Sequence, residues 1–210
     1  MLINNFLICK TVCEVLKNIT PSYLLYLSSD AVYSDSKKLL NEKSITQPNS
    51  IHGVMHYTRE IMLKNVFKRK MCIVRPTLVY GKNDPHNGYG PNRFIRLAKK
   101  GKNITLFGRG EELRDHIWIN DVAKVIAKLI LLRSNGIFNL VTGKVISFKN
   151  IATQITKETI KSKLIKISYK KRIGPIPHNG WRGFKKSCFK KISPNFKFKN
   201  FNQVLPSLIK

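Results

Sequence analysis

The triplet Ser28-Ser29-Asp30 follows directly on the apolar stretch SYLLYL. At the carboxyl end of a buried strand, two hydroxyls and a carboxylate would face the crevice where open parallel sheets bind ligands. The same triplet is also good turn or helix-cap chemistry. Some twenty residues on, His52 and His56 stand four apart in IHGVMHYTRE, one turn of a helix. An imidazole, with a reference pKa of about 6.5, accepts a proton at neutral pH without assistance. The spacing also suits a metal pair, but no further cluster of ligands accompanies it, so no metal site is expected.

Alternating elements must position these groups. Apolar side chains at helical spacing predict a helix over residues 4–18, and SYLLYLSS reads as a strand buried on both faces. A polar loop over 34–50 leads to a helix over 51–68, and MCIVRP is a second buried strand stopped by Pro76. Beyond a Gly/Pro/Asn-rich loop come a short helix (NRFIRLAKKG), the strands NITLFG and LRDHIWI, a helix capped by Asn120 or Asp121, and the strand GIFNLV. The last sixty residues are more irregular, with a helix capped by Ser147, a strand in KLIKISYK that has one wet face, and a terminal helix near 201–209. Strands alternating with helices of this length predict an α/β fold, a parallel sheet with helices on both faces.

The chain has 210 residues, 39 Lys plus Arg against 11 Asp plus Glu, and a net charge of +28. Such a field attracts phosphates, whether of nucleic acid, membrane or nucleotide. The charge is spread along the chain, densest over 161–199, and no zinc knuckle, helix-turn-helix or aromatic RNA-binding signature accompanies it. Nucleic acid is therefore set aside as a partner. The four cysteines, Cys9, Cys13, Cys72 and Cys188, form no C-x-x-C pair, which points to core thiols and a reducing, cytoplasmic setting. No apolar run reaches 18 residues and MLINNFLICK lacks the marks of a signal peptide, so no membrane partner is expected.

Four segments in order, SSDAVY, PNSIHGVMHYTRE, RPTLVYG and LFGRGEELRDHIWINDVA, resemble the extended short-chain dehydrogenase/reductase family. Within it they are most similar to NAD-dependent nucleotide-sugar epimerases and dehydratases, over roughly residues 4–190. The resemblance implies a cofactor, NAD or NADP, and a nucleotide-diphosphate sugar as substrate. It also implies a homodimer through the helices at 4–18 and 51–68. Ser29, four before Tyr33, matches the catalytic Ser/Thr that bonds the sugar oxygen. Asn4 falls where these enzymes often have an Asn near the cofactor, and Ser28, Arg75, Pro76 and Thr77 fall at strand ends beside the nicotinamide. Arg114 and Arg182 match arginines that bind the substrate diphosphate.

Two departures qualify the match. The family's Tyr-x-x-x-Lys, whose tyrosine acts as base and whose lysine holds the nicotinamide ribose, is replaced by His52 and His56. His52 would stand in as base, and His56 would meet a ribose hydroxyl without the lysine's charge. The glycine-rich phosphate loop is absent: GRGEEL and GYGPNR are chance matches. The chain begins where the family's fourth helix should be. The expected architecture is therefore a partial Rossmann-like sheet without its first strand-helix units (residues 1–85 and 111–145), plus a smaller carboxyl-terminal α+β substrate lobe (86–110 and 146–210).

Overall fold

A computed structural model describes residues 2–19, 21–160 and 162–209. In its first half, α1 (Leu2–Asn18) leads to β1 (Leu24–Leu27) and a 3-10 turn at Asp30–Val32, then α2 (Ile51–Val66), β2 (Met71–Pro76) and β3 (Leu78–Tyr80). Next come α3 (Pro91–Lys99), β4 (Ile104–Phe107), β5 (Leu113–Trp118), α4 (Ile119–Leu131), β6 (Gly136–Leu140) and β7 (Val145–Ser147). The carboxyl-terminal part holds α5 (Phe148–Glu158), β8 (Ile167–Lys170), β9 (Trp181–Arg182), α6 (Phe189–Ile192) and α7 (Phe201–Ile209).

The sheet that carries the Ser29 turn has the order β1-β2-β6, all parallel. All six residues of the central β2 are buried, as a strand covered on both faces requires. Its side chains alternate between two cores. Met71 and Ile73 pack with Cys9 and Cys13 of α1 and Leu63 of α2. Cys72 and Val74 pack with Val122, Val125 and Leu129 of α4. Helices thus cover both faces, and the fold is the expected α/β class.

A separate core joins α3, β4, α5 and α7 through Phe94, Leu106, Ile151, Ile155 and Leu205. β5 belongs to a second sheet, pairing with β3 in parallel, with β7 antiparallel and with β9 in parallel, and its Ile117 packs with Cys72 and Val74 of the first. Ser147 caps α5, accepting from the Asn150 N–H at 3.0 Å.

Three local expectations change. β1 is half-buried rather than buried, because it is hydrogen-bonded to β2 on one side and to no other strand among the described residues. α4 begins at Ile119 with neither Asn120 nor Asp121 as its cap. The Asp121 carboxylate lies inside the first turn and accepts instead from the Lys199 N–H at 2.7 Å. In KLIKISYK only Ile167–Lys170 is strand, after a 3-10 turn at Ser162–Leu164. No helix among the described residues is long and apolar enough to cross a membrane.

Candidate functional site

Where β1 ends, the Ser28 N–H makes a last ladder bond to Val74 O at 2.7 Å and the chain turns. Ser29 caps the 3-10 turn: its Oγ accepts from the Ala31 N–H at 3.2 Å. Ser28 points the other way and donates to Glu60 Oε1 at 2.6 Å. Glu60, on α2, is fully buried and receives Arg75 Nε at 2.8 Å and Nη2 at 2.5 Å. Such a pair survives burial because the bidentate geometry offsets the loss of two hydration shells. The Arg75 guanidinium lies 4.7 Å from the centroid of the Tyr33 ring, and the Tyr33 hydroxyl donates to Asn139 Oδ1 at 2.7 Å. Burial raises the Tyr33 phenol above its ordinary value, partly countered by Arg75, so it stays a donor. Arg75 and Asn139 are register partners on β2 and β6. One polar chain therefore ties β1, β2, β6 and α2 together beneath Ser29.

α2 docks on this turn through Gly53. A Cβ there would stand 2.2 Å from Ala31 O, so only glycine admits the approach. His52 precedes Gly53 on the same helical turn. His52 is exposed and meets His56 edge to face, with ring centroids 4.7 Å apart. His56 Nδ1 lies 3.1 Å from the Tyr26 hydroxyl. Burial, then the neighbouring His52 and Arg59 charges, pull His56 down to about 4. It is neutral at pH 7.

Arg114 and Arg182 face each other across β5 and β9 as register partners. Every guanidinium nitrogen of Arg182 is engaged by the protein. Nε donates to Asp30 Oδ2 at 3.0 Å, Nη1 to Asp35 Oδ1 at 3.3 Å, and Nη2 to the carbonyls of Asp30 and Tyr33. His178 joins the cluster with Nδ1 2.5 Å from Asp35 Oδ1. The segment reaches it through two consecutive left-handed residues, His178 and Asn179, both at φ 52. Arg114 is committed only in part. Its Nη2 binds Glu112 and, at 2.7 Å, Pro177 O, while Nη1 is buried without a partner. Arg182 is thus a strut that holds the Ser29 turn, and Arg114 is the arginine with donors to spare.

Arg182 holds the Ser29 turn, with Arg114 alongside Arg182, and Gly53 docks α2 on the same turn; His52 and His56 share a face of α2, where His56 meets Tyr26 of β1. The remaining groups stand otherwise. Ser28 and Arg75 are spent on Glu60, and Thr77 Oγ1 donates to Asp115 O at 3.1 Å. Pro76 is buried at the end of β2. Asn4 is exposed in the first turn of α1, with no hydrogen bond to the Ser29 turn among the described residues. Sequence reasoning missed Glu60, Asn139, Asp35 and His178. Glu60 had a signal: with His52 and His56 it falls at i, i+4 and i+8 on one helical face. No group of three or more His, Cys, Asp or Glu among the described residues has a metal-binding arrangement.

Solved structures share this fold. UDP-N-acetylglucosamine 4-epimerase of Methanobrevibacter ruminantium, in complex with UDP-N-acetylmuramic acid, superposes with a TM-score of 0.81 at 24% identity, over 98% of this chain and 67% of that one. UDP-glucose 4-epimerase of Thermotoga maritima with UDP-glucose gives 0.80 at 20% identity, over 96% and 66%. dTDP-glucose 4,6-dehydratase of Bacillus anthracis in complex with NAD gives 0.77 at 18%, over 96% and 65%. The chain spans about two thirds of the length of these relatives. The sequence model of the NAD dependent epimerase/dehydratase family matches residues 1–140. With the Ser29 turn, the α2 docking and the parallel sheet all lying inside that match, this chain belongs to the NAD dependent epimerase/dehydratase family.

Proposed function

We propose that this chain is the nucleotide-sugar-handling part of an NAD(P)-dependent epimerase/dehydratase-like enzyme of the cytoplasm. The observation that carries the reading is the Ser29 turn, gripped by Gly53 of α2 on one side and by Arg182 on the other. Ser29 would donate its hydroxyl hydrogen to the reacting sugar oxygen. His52 would take the proton of a substrate hydroxyl onto a ring nitrogen and become an imidazolium. The spare Nη1 donors of Arg114 suit a diphosphate oxygen. The division into a sheet domain (1–85, 111–145) and a substrate lobe (86–110, 146–210) agrees with the separate core of α3, β4, α5 and α7. α6 departs from that division, since Phe189 packs with the sheet.

Toward the dinucleotide the residues fit only in part. NAD supplies the acceptor for a substrate hydride when bound, and His56 offers an imidazole to a ribose hydroxyl. Ser28 and Thr77 spend their hydroxyls within the protein, and Arg75 gives Nε and Nη2 to Glu60 while its Nη1 is buried without a partner. A second reading, a non-catalytic nucleotide-sugar-binding protein, is favoured by the neutral His56 in place of an ammonium.

Titration calorimetry with UDP-glucose and with NAD separates the two. The enzyme reading expects both to bind, with Arg114→Gln weakening UDP-glucose about tenfold. UDP-glucose binding with no NAD binding selects the second reading, and binding of neither sinks both. The second copy expected as a partner is supported by the apolar hollow of about 320 Å³ between α1 and α2, flanked by exposed Ile3 and Phe6. Sedimentation should give a dimer that Phe6→Glu dissociates.

A further inference from the structure

Away from the Ser29 turn, residues of β5, β7, α5 and the start of α7 enclose a separate hollow of about 230 Å³. His116 of β5, 3% exposed, lines it. Its Nδ1 lies 3.2 Å from the carbonyl oxygen of Arg114. A carbonyl can only accept, so Nδ1 carries the proton and Nε2 of the neutral ring carries the lone pair. Burial holds this imidazole down at about 4, so the neutral form prevails at pH 7. Phe148 packs edge to face on the ring at 5.5 Å and fixes its plane.

Nε2 is buried and meets no partner. Gln154 Oε1, from α5, lines the same hollow and is likewise buried without a partner. Two buried acceptors on residues that line one hollow thus lack a hydrogen-bond partner among the described residues, a state that an occupant bearing donors relieves. The lining includes the exposed Lys144 and the amides of Asn200 and Asn202, but no carboxylate. The nearby Asp115 carboxylate is already taken by Thr142 Oγ1 at 2.7 Å and the Gly143 N–H at 2.7 Å. With a net charge of +28 behind it, the hollow favours an anion over a cation.

We propose that this hollow binds a small hydroxylated anion, whose hydroxyls donate to His116 Nε2 and Gln154 Oε1 while its charged group faces Lys144. A sugar phosphate and a hydroxy acid share that chemistry. The site is separate from the one around Ser29 and does not depend on the reading of it. Its occupant does bear on β5 two residues from Arg114, through the bond from His116 Nδ1 to the Arg114 carbonyl.

The test is NMR of the full chain with labelled histidine, which reports five imidazoles. Glucose 6-phosphate, gluconate, glucose and inorganic phosphate are titrated separately to about 10 mM. The expected result is a saturable shift of the His116 Nε2 resonance with glucose 6-phosphate or gluconate, and a weaker response to glucose or phosphate alone. Whichever of the two anions binds names the source. Lys144→Ala and Gln154→Leu, each checked by thermal melting, should both weaken binding roughly tenfold. A His116 resonance that neither anion moves means that ordered water alone fills the hollow and overturns the proposal. A titration that both substitutions leave unchanged overturns it equally.

Discussion

One face of α2 enters the buried wall beneath Ser29 at Glu60 and carries His52 and His56 nearer its start, and these two ends are built on opposite terms. Under Ser29, the side chains of Ser28, Glu60, Arg75, Tyr33 and Asn139 form one continuous chain of polar contacts, and all five are buried. On α2, His52 is exposed and its recorded contact is the His56 ring. The comparison teaches that the protein fixes the turn that carries Ser29 far more tightly than the side chains at the start of α2. Removing one partner of a buried charged pair destabilises the fold strongly, whereas an exposed imidazole can be exchanged at small cost.

The largest effect should come from breaking the wall. Glu60→Ala leaves Arg75 buried and uncompensated and should cost about 3–5 kcal/mol in denaturant unfolding. Replacing both partners, Glu60→Leu with Arg75→Met, should recover most of that loss, since apolar groups of similar volume need no partner. A cost below about 1 kcal/mol for Glu60→Ala would show that the network is not what holds the turn.

Acid should act next, through two imidazoles depressed by burial, His56 on the α2 side of the comparison and His116 outside it on β5. His116 falls from its ordinary 6.5 to about 4 in the fold. A base depressed on folding contributes stability that is complete above pH 6.5 and is lost as pH falls toward 4, because the unfolded chain binds the proton first. For a ring this buried the loss is about 3 kcal/mol. His56 shifts the same way but is less enclosed, so its share is smaller. His116→Phe should remove more of the slope than His56→Phe. Equal slopes in the two variants would contradict the burial difference.

Gly53→Ala tests the contact between the two regions. The new methyl meets Ala31 O, and the forced shift should cost about 1–3 kcal/mol in a thermal melt. His52→Ala should be nearly silent, within about 0.5 kcal/mol. A large loss there would mean that His52 is part of the scaffold after all.

Much of the scaffold was legible in the sequence because it rests on local pattern. Apolar spacing marked α1, α2 and α4, the run MCIVRP marked the central strand, and Ser147 marked a cap. β3 went unread because LVY follows Pro76 after a single residue, and a strand of three residues leaves no periodicity to detect. The destinations of the polar side chains were least visible. Arg114 and Arg182 look alike in sequence, but one keeps a nitrogen free and the other gives every nitrogen to the protein. That difference depends on which carboxylates the fold brings near, Glu112 for one and Asp30 with Asp35 for the other. His56 shows the same limit, since its residue type suggests a base near neutrality and only enclosure by Tyr26 and its neighbours lowers it.

The reach of Arg182 back to Asp30 has a consequence for how the molecule comes into being. During synthesis the first thirty-odd residues leave the ribosome long before their anchor does. The Leu40–Phe184 bridge imposes the same wait. Ser29 can therefore settle into its final setting only after residue 182 has emerged, so a product released early would carry the right hydroxyl on an unfastened loop.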